Sequence, residues 1–330
     1  MAKTYGVGIL GCGAVWKNHH IALEKSDRIK CVSVFDPATD RANDAAKLTG
    51  ARVAETADAL LNDPEVDIVS ILTPVFTHVE LVEKGAAAGK HFMLEKPLAK
   101  DVADAQRIVD AIDGAGVKCF HPTIRALSSD LFDTLMQWTA PDGVVGPVKA
   151  AFYRLIGMPY APSAWLLDRK NCFPPAEYDP HVFDTFLALT GDEPETVYCH
   201  AGNYCRPFDQ DDVTSIHVDF KGKRHLQFDV HWVVEPTWKC GAQINFEIVC
   251  ERGLIKHDWF GATWYTSEDE GSYASDRRNT GGDRWDHYHE LIEAIETDKP
   301  IAPNHHDGLK YVRIQDAAMR SAKLGQRITL

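Results

Sequence analysis

The chain has 330 residues, 45% hydrophobic and 25% charged, the balance of an ordinary globular protein long enough for two cores. Its formal charge of -13 disfavours any partner bound through a phosphate backbone, and no basic cluster offsets it, so nucleic-acid binding is set aside. No apolar run approaches the roughly 20 residues that cross a bilayer, and the opening MAKTYGVGIL lacks the h-region and cleavage site of a secretory signal. A cytoplasmic protein with no membrane partner is expected.

The first third alternates strand and helix signals. Strands are predicted at 5–10, 29–35, 66–72, 91–94 and 117–120, and helices at 40–48, 78–88 and 102–115. Strands spaced by helices of this length imply right-handed crossovers and an N-terminal Rossmann-type, doubly wound parallel sheet. The pattern then changes. Strands at 148–156, 196–205, 213–220, 226–234 and 244–250 follow with little helix between most of them, and Lys221-Gly222-Lys223 reads as a hairpin turn. Helices near 181–189, 284–297 and 307–324 are expected to cover one face of this sheet. The fold class is α/β: a dinucleotide-binding domain over 1–122, then an α+β substrate-binding and oligomerisation domain over 123–330 with a large, mostly antiparallel open sheet. The site is expected in the crevice between the two.

Gly11-Cys12-Gly13 stands where the first strand turns into a helix, followed by Ala14 and Val15. Gly11 permits the tight turn, and Gly13 lets the backbone approach a pyrophosphate seated on the helix N-terminus. Trp16 occupies the third glycine position, which calls for looser packing or a ring aimed at the ligand. Asp36 ends the second strand, where a carboxylate hydrogen-bonds both ribose hydroxyls and repels a 2′-phosphate. The expected cofactor is therefore NAD rather than NADP. A plain strand-ending turn at Asp36-Pro37 is the alternative.

The string Ile71-Leu72-Thr73-Pro74, then His78, then Gly89-Lys90-His91, ending in Glu95-Lys96-Pro97, resembles the Gfo/Idh/MocA oxidoreductase family. His19 after the glycine turn and Arg125 after the fifth strand match it as well. The resemblance is dense over the first 125 residues and thinner beyond, through Asp307-Gly308-Leu309 and Ser321-Ala322. It implies an NAD-dependent dehydrogenase acting on the CH–OH group of a sugar, cyclitol or related polyol, assembled as a homodimer or homotetramer. Thr73, Pro74, His78, Glu95, Lys96 and Arg125 would join the glycine turn in holding the cofactor. It also implies that Lys96 handles the substrate hydroxyl proton and that Pro97 follows a cis peptide.

The family's second catalytic run, Asp-x-x-x-His at a helix start, is matched by Glu177 to His181, with Asp184 three residues further on. Glu177 replaces the aspartate, and Asp179-Pro180 makes a good cap and first-turn pair of its own. His181 is the candidate base; a helix-start histidine satisfied by a neighbour is the bland reading. Trp165, His121 and Arg154 complete the substrate candidates with Asp184, and each has packing or a loop as its alternative. Lys96 can also be read as half of an exposed Glu–Lys pair. No metal is expected, because His287, His289, His305 and His306 offer no coherent ligand spacing. Two other functions fit the same fold: a non-catalytic NAD or sugar sensor, and a redox-neutral NAD-using glycoside-processing enzyme.

Overall fold

A computed structural model describes residues 3–123, 129–157, 179–207, 209–234, 239, 243–258, 261–275 and 284–330. The chain divides into two compact units, one of residues 1–122 with 283–312 and one of residues 123–282 with 313–330. The contiguous division at 122/123 read from sequence differs in the placement of 283–312.

In the first unit the order is β1 (Tyr5–Leu10), α1 (Trp16–Lys25), β2 (Ile29–Phe35), α2 (Thr39–Thr49), β3 (Arg52–Val53), α3 (Ala57–Leu61), β4 (Ile68–Ile71), α4 (His78–Ala87), β5 (His91–Leu94), α5 (Val102–Ala115) and β6 (Cys119–Phe120). Among the described residues the strands form one parallel sheet in the order β3-β2-β1-β4-β5-β6, with the two halves diverging at β1 and β4. Every residue of β1 and of β4 is buried, as expected of strands covered on both faces. One helix-covered core gathers Leu60, Leu61, Val82, Phe92 and Ile108. The other gathers Val7, Ile9, Trp16, Leu23 and Phe120. Trp16 is 5% exposed, so its ring is core filling and aims at no ligand.

The second unit is built on α6 (Ser129–Thr139), β7 (Val148–Ile156), α7 (Asp179–Thr190), β8 (Pro194–Gly202), β9 (Val213–Phe220), β10 (Arg224–His231), β11 (Gln243–Cys250), β12 (Leu254–His257), β13 (Gly261–Tyr265) and β14 (Glu270–Ala274). With β15 (Ile328–Thr329) these strands make a nine-stranded sheet among the described residues, ordered β14-β13-β12-β11-β7-β10-β9-β8-β15. All its pairings are antiparallel except β7 with β10. Burial alternates strictly along β9, so one face is packed and one open. The β9–β10 hairpin turns at 221–223, with the left-handed residue at Lys223 (φ 58°). On the packed face Phe183 and Phe186 of α7 meet Phe228 and Phe220.

Helices α8 (Arg284–Thr297) and α9 (His305–Leu324) correct the sequence expectation in part. α8 does not cover the second sheet. It packs on α1 and β6, placing Tyr288, Leu291 and Ile292 in the first unit's core and stacking His287 on Phe120 at 4.7 Å. An amphipathic pattern announces a buried face without saying what it is buried against. The division between the units falls within α9.

Two predictions follow from these cores. Restoring glycine at the third fingerprint position (Trp16→Gly) is expected to cost roughly 3–5 kcal/mol in chemical denaturation, because a fully packed indole is lost at a helix start. In the second unit, His257 Nδ1 donates to the Asp258 carbonyl at 3.0 Å and Nε2 accepts the Tyr153 hydroxyl at 3.0 Å. Burial drops its pKa from 6.5 to about 4. The unfolded chain therefore binds one more proton between these values, and stability falls as pH falls through that window. His257→Gln is expected to remove about 2 kcal/mol of the stability lost between about pH 7.5 and about pH 5, measured by urea unfolding at both.

Candidate active site

The carboxyl ends of β1, β2, β4 and β5 lie side by side, and the loops leaving them carry the candidate cofactor residues. Gly11 has φ +93°, and a Cβ there would stand 2.9 Å from the Leu72 carbonyl carbon and oxygen. Only glycine lets the chain leaving β1 pass this close to the chain leaving β4. Two residues on, a Cβ at Gly13 would meet nothing within 4 Å. Ala14 is exposed, Gly13 and Val15 are half-buried, and the first turn of α1 has no side-chain cap and no acidic residue. Open backbone at a helix N-terminus suits a pyrophosphate.

Asp36 is 8% exposed. Its Oδ2 accepts the Cys12 N–H at 2.8 Å and its Oδ1 the Ala38 N–H at 2.8 Å. The carboxylate thus ties the end of β2 to the glycine turn, and each oxygen keeps a lone pair for a ribose hydroxyl. Burial, with Asp36 beside it, pushes the Cys12 thiol up to about 12, so Cys12 contributes its backbone rather than a thiolate.

The Thr73 hydroxyl lies 2.6 Å from Thr77 Oγ1, which donates to the Pro74 carbonyl at 2.8 Å. His78, 1% exposed, has Nδ1 3.1 Å from the Leu98 carbonyl and Nε2 3.0 Å from the Thr73 carbonyl. It bridges the loops after β4 and β5, while burial pulls its pKa below the ordinary histidine value. Glu95 is buried, Lys96 half-buried, and the Lys96–Pro97 peptide is cis.

His121, a substrate candidate, stands directly after β6 in the first unit. It is 0% exposed, with Nδ1 2.8 Å from the Leu94 carbonyl and its ring stacked on Tyr311. Its N–H donates to the Pro303 carbonyl at 3.1 Å. In the second unit, His181 and Asp184 lie one turn apart on α7 and are both buried. Asp184 Oδ2 accepts the Thr123 hydroxyl, a partner that sequence reading missed because nothing in the spacing connects 123 with 184. Arg154 is exposed on β7, on the face opposite Tyr153 and Leu155, whereas α7 packs on the buried face. Within the second unit it is therefore not brought together with His181 and Asp184. Arg125, Trp165 and Glu177 lie outside the described residues.

The two histidine pairs behave differently. His289 Nε2 lies 2.8 Å from Ser26 Oγ, away from the His287–Phe120 stack. His305 and His306 converge on Asp113 Oδ1 at 2.9 and 3.2 Å, an acidic partner 192 residues from His305 that sequence spacing could not supply.

Comparison with known proteins adds the decisive observation. Residues 5–122 match the model of an oxidoreductase family with an NAD-binding Rossmann fold, and residues 142–256 match the GFO/IDH/MocA C-terminal domain. The chain belongs to the Gfo/Idh/MocA oxidoreductase family. Inositol 2-dehydrogenase of Rhizobium meliloti is 26% identical, with 99% of each chain covered. The WlbA dehydrogenase of Bordetella pertussis, solved with NADH and UDP-GlcNAcA, superposes with a TM-score of 0.84 at 21% identity, covering 100% of this chain and 99% of that one. The aldose-aldose oxidoreductase of Caulobacter crescentus, solved with glycerol, gives 0.86 at 20% identity, covering 99% and 100%. These two likenesses speak for the fold. Among the described residues, no helix is long and apolar enough to cross a membrane.

The two glycines of this family's fingerprint separate fold from binding. Gly13→Ala is expected to leave the melting temperature near wild type while weakening NAD binding in a fluorescence titration. Gly11→Ala is expected to lower the melting temperature itself, since its new methyl must displace the Leu72 backbone.

Proposed function

We propose that this Gfo/Idh/MocA protein is an NAD-dependent dehydrogenase that oxidises a carbinol of a sugar, cyclitol or related polyol. The observation that carries the reading is the placement of half-buried Lys96 directly after buried Glu95. Both stand at the strand-end edge that also carries the open Gly13 and the Asp36 carboxylate. Doubly wound folds bind ligands at this edge. The inositol 2-dehydrogenase relative, aligned over nearly the whole chain, supports a cyclitol or sugar as the substrate class.

NAD, when bound, supplies the hydride acceptor at C4 of its nicotinamide ring. The substrate C–H bond breaks with its electron pair, the carbinol becomes a carbonyl, and the hydroxyl proton passes to protein. Lys96 hydrogen-bonds that hydroxyl and takes the proton. Within the second unit His181 is the candidate base, with Asp184 one turn along to orient it. Gly11 to Val15 would cradle the pyrophosphate. Asp36 would bind the ribose hydroxyls and repel a 2′-phosphate, favouring NAD over NADP. In the same reading the open face of the second sheet, exposing Phe152, Tyr198 and Val249, is the contact of a homo-oligomer.

The test is the initial rate of nicotinamide reduction with NAD+ and NADP+ in parallel, across cyclitols, aldoses, sugar acids and anhydro sugars. Turnover with NAD+ preferred is expected, and Lys96→Met is expected to abolish it nearly completely while NAD still binds. Full turnover in Lys96→Met would sink the assignment of Lys96. Silence across the panel, with NAD bound, would favour a sensor.

A further inference from the structure

Behind Glu95 lies a buried polar chain, all of it within the first unit, that the reaction as described does not use. Ser70 stands on β4, His19 on α1, Tyr288 on α8 and Glu95 just after β5. None is more than 4% exposed. Ser70 Oγ lies 2.8 Å from the Tyr288 hydroxyl, and that hydroxyl lies 2.9 Å from His19 Nδ1. His19 Nε2 lies 3.0 Å from Glu95 Oε1. The other carboxylate oxygen, Oε2, accepts the backbone N–H of Lys96 at 3.1 Å.

The donors can be ordered from chemistry. A carboxylate only accepts, so His19 Nε2 carries a hydrogen and donates to Glu95. In the neutral ring Nδ1 is then an acceptor, and the Tyr288 hydroxyl facing it donates. The tyrosine oxygen keeps a lone pair for the Ser70 hydroxyl. Each hydrogen from Ser70 to Glu95 points the same way: Glu95 sets the ring tautomer, and Tyr288 satisfies the Nδ1 lone pair that this tautomer leaves. Packing alone does not require this hydroxyl. Leu291 and Ile292 already anchor α8 in the same core, and a phenylalanine ring would occupy the same space.

We propose that Tyr288 is a positioning residue for Lys96. Through His19 it holds the Glu95 carboxylate in place, and Glu95 in turn holds the peptide from which the Lys96 side chain is aimed. The proposal rests on the reading of Lys96 as the proton-handling group.

Tyr288→Phe, Ser70→Ala and Lys96→Met are compared with wild type, all saturated with NAD+, on the polyol giving the highest rate in the panel above. For Tyr288→Phe, kcat is expected to fall about 10- to 100-fold, with KM, NAD affinity and melting temperature near wild type. In 15N-histidine spectra the His19 ring of wild type is expected as the neutral Nε2–H form with Nδ1 accepting a hydrogen bond, and in Tyr288→Phe the Nδ1 resonance is expected to move downfield to that of an acceptor without its donor. A wild-type kcat, or a fall accompanied by an equal loss of NAD affinity, overturns the proposal. Should Tyr288→Phe fail to fold, Ser70→Ala must show a smaller fall in kcat of the same kind, and unchanged kcat there overturns it. An inactive Lys96→Met beside a fully active Tyr288→Phe removes the relay and leaves Lys96 catalytic. A fully active Lys96→Met instead removes the reading beneath both. If no polyol turns over, the His19 spectrum decides, and an unchanged Nδ1 resonance in Tyr288→Phe overturns the relay.

Discussion

The cofactor end depends on one close passage, where the chain leaving β1 crosses the backbone leaving β4 with no room for a Cβ at Gly11. That passage sets the position of the Cys12 amide, which the Asp36 carboxylate reads from the end of β2. It also sets the start of α1, and through α1 the place of His19 and its contact with Glu95. A backbone constraint at a single residue is thus transmitted to the ends of three strands. The parallel sheet supplies the rigidity, because its central strands β1 and β4 are buried on both faces and cannot slip without exposing apolar surface.

Much of this was legible in the sequence, and the limits are physical. Strands 5–10, 29–35, 91–94, 148–156 and 213–220 were read to the residue, because buried parallel strands appear as unbroken apolar runs and half-buried antiparallel ones as strict alternation. Short elements escaped. Ala57–Leu61 and the strands from Leu254 to Ala274 were not called, since few residues leave little periodicity to detect; the longer helix Ser129–Thr139 was not called either. The placement of the candidate residues was legible where a motif sits on a strand end, as with Gly11, Asp36 and Glu95-Lys96. It was not legible where tertiary packing decides. No spacing announced Thr123 beside Asp184, nor the burial of His121 against Leu94 and Tyr311. Arg154 is an intermediate case, for the alternation of Ala151, Tyr153 and Leu155 already placed it on the opposite face of its strand.

The first unit also spends stability on polarity. Ser70, His19, Glu95 and Tyr288 would be cheaper as hydrocarbons, and a buried polar set is tolerable only when its members satisfy one another. Here the satisfied set ends on the backbone of the lysine that the sequence singled out. His78, buried at the next loop, lies 3.1 Å from the Leu98 carbonyl and 3.0 Å from the Thr73 carbonyl. Polar residues beneath the strand ends, rather than at them, give the edge its definition.

The affiliation of α8 bears on the order in which this molecule can be made. The helix that seals one face of the first sheet is encoded some 160 residues after that sheet's last strand. A ribosome therefore delivers six strands whose core still lacks Tyr288, Leu291 and Ile292, and must then thread out β7 to β14 of the second sheet before the seal arrives. The nascent first unit waits with Phe120, Ser70 and His19 uncovered on that side. Its closure is a late, long-range event tied to completion of the chain, unlike a self-contained domain that matures as it emerges.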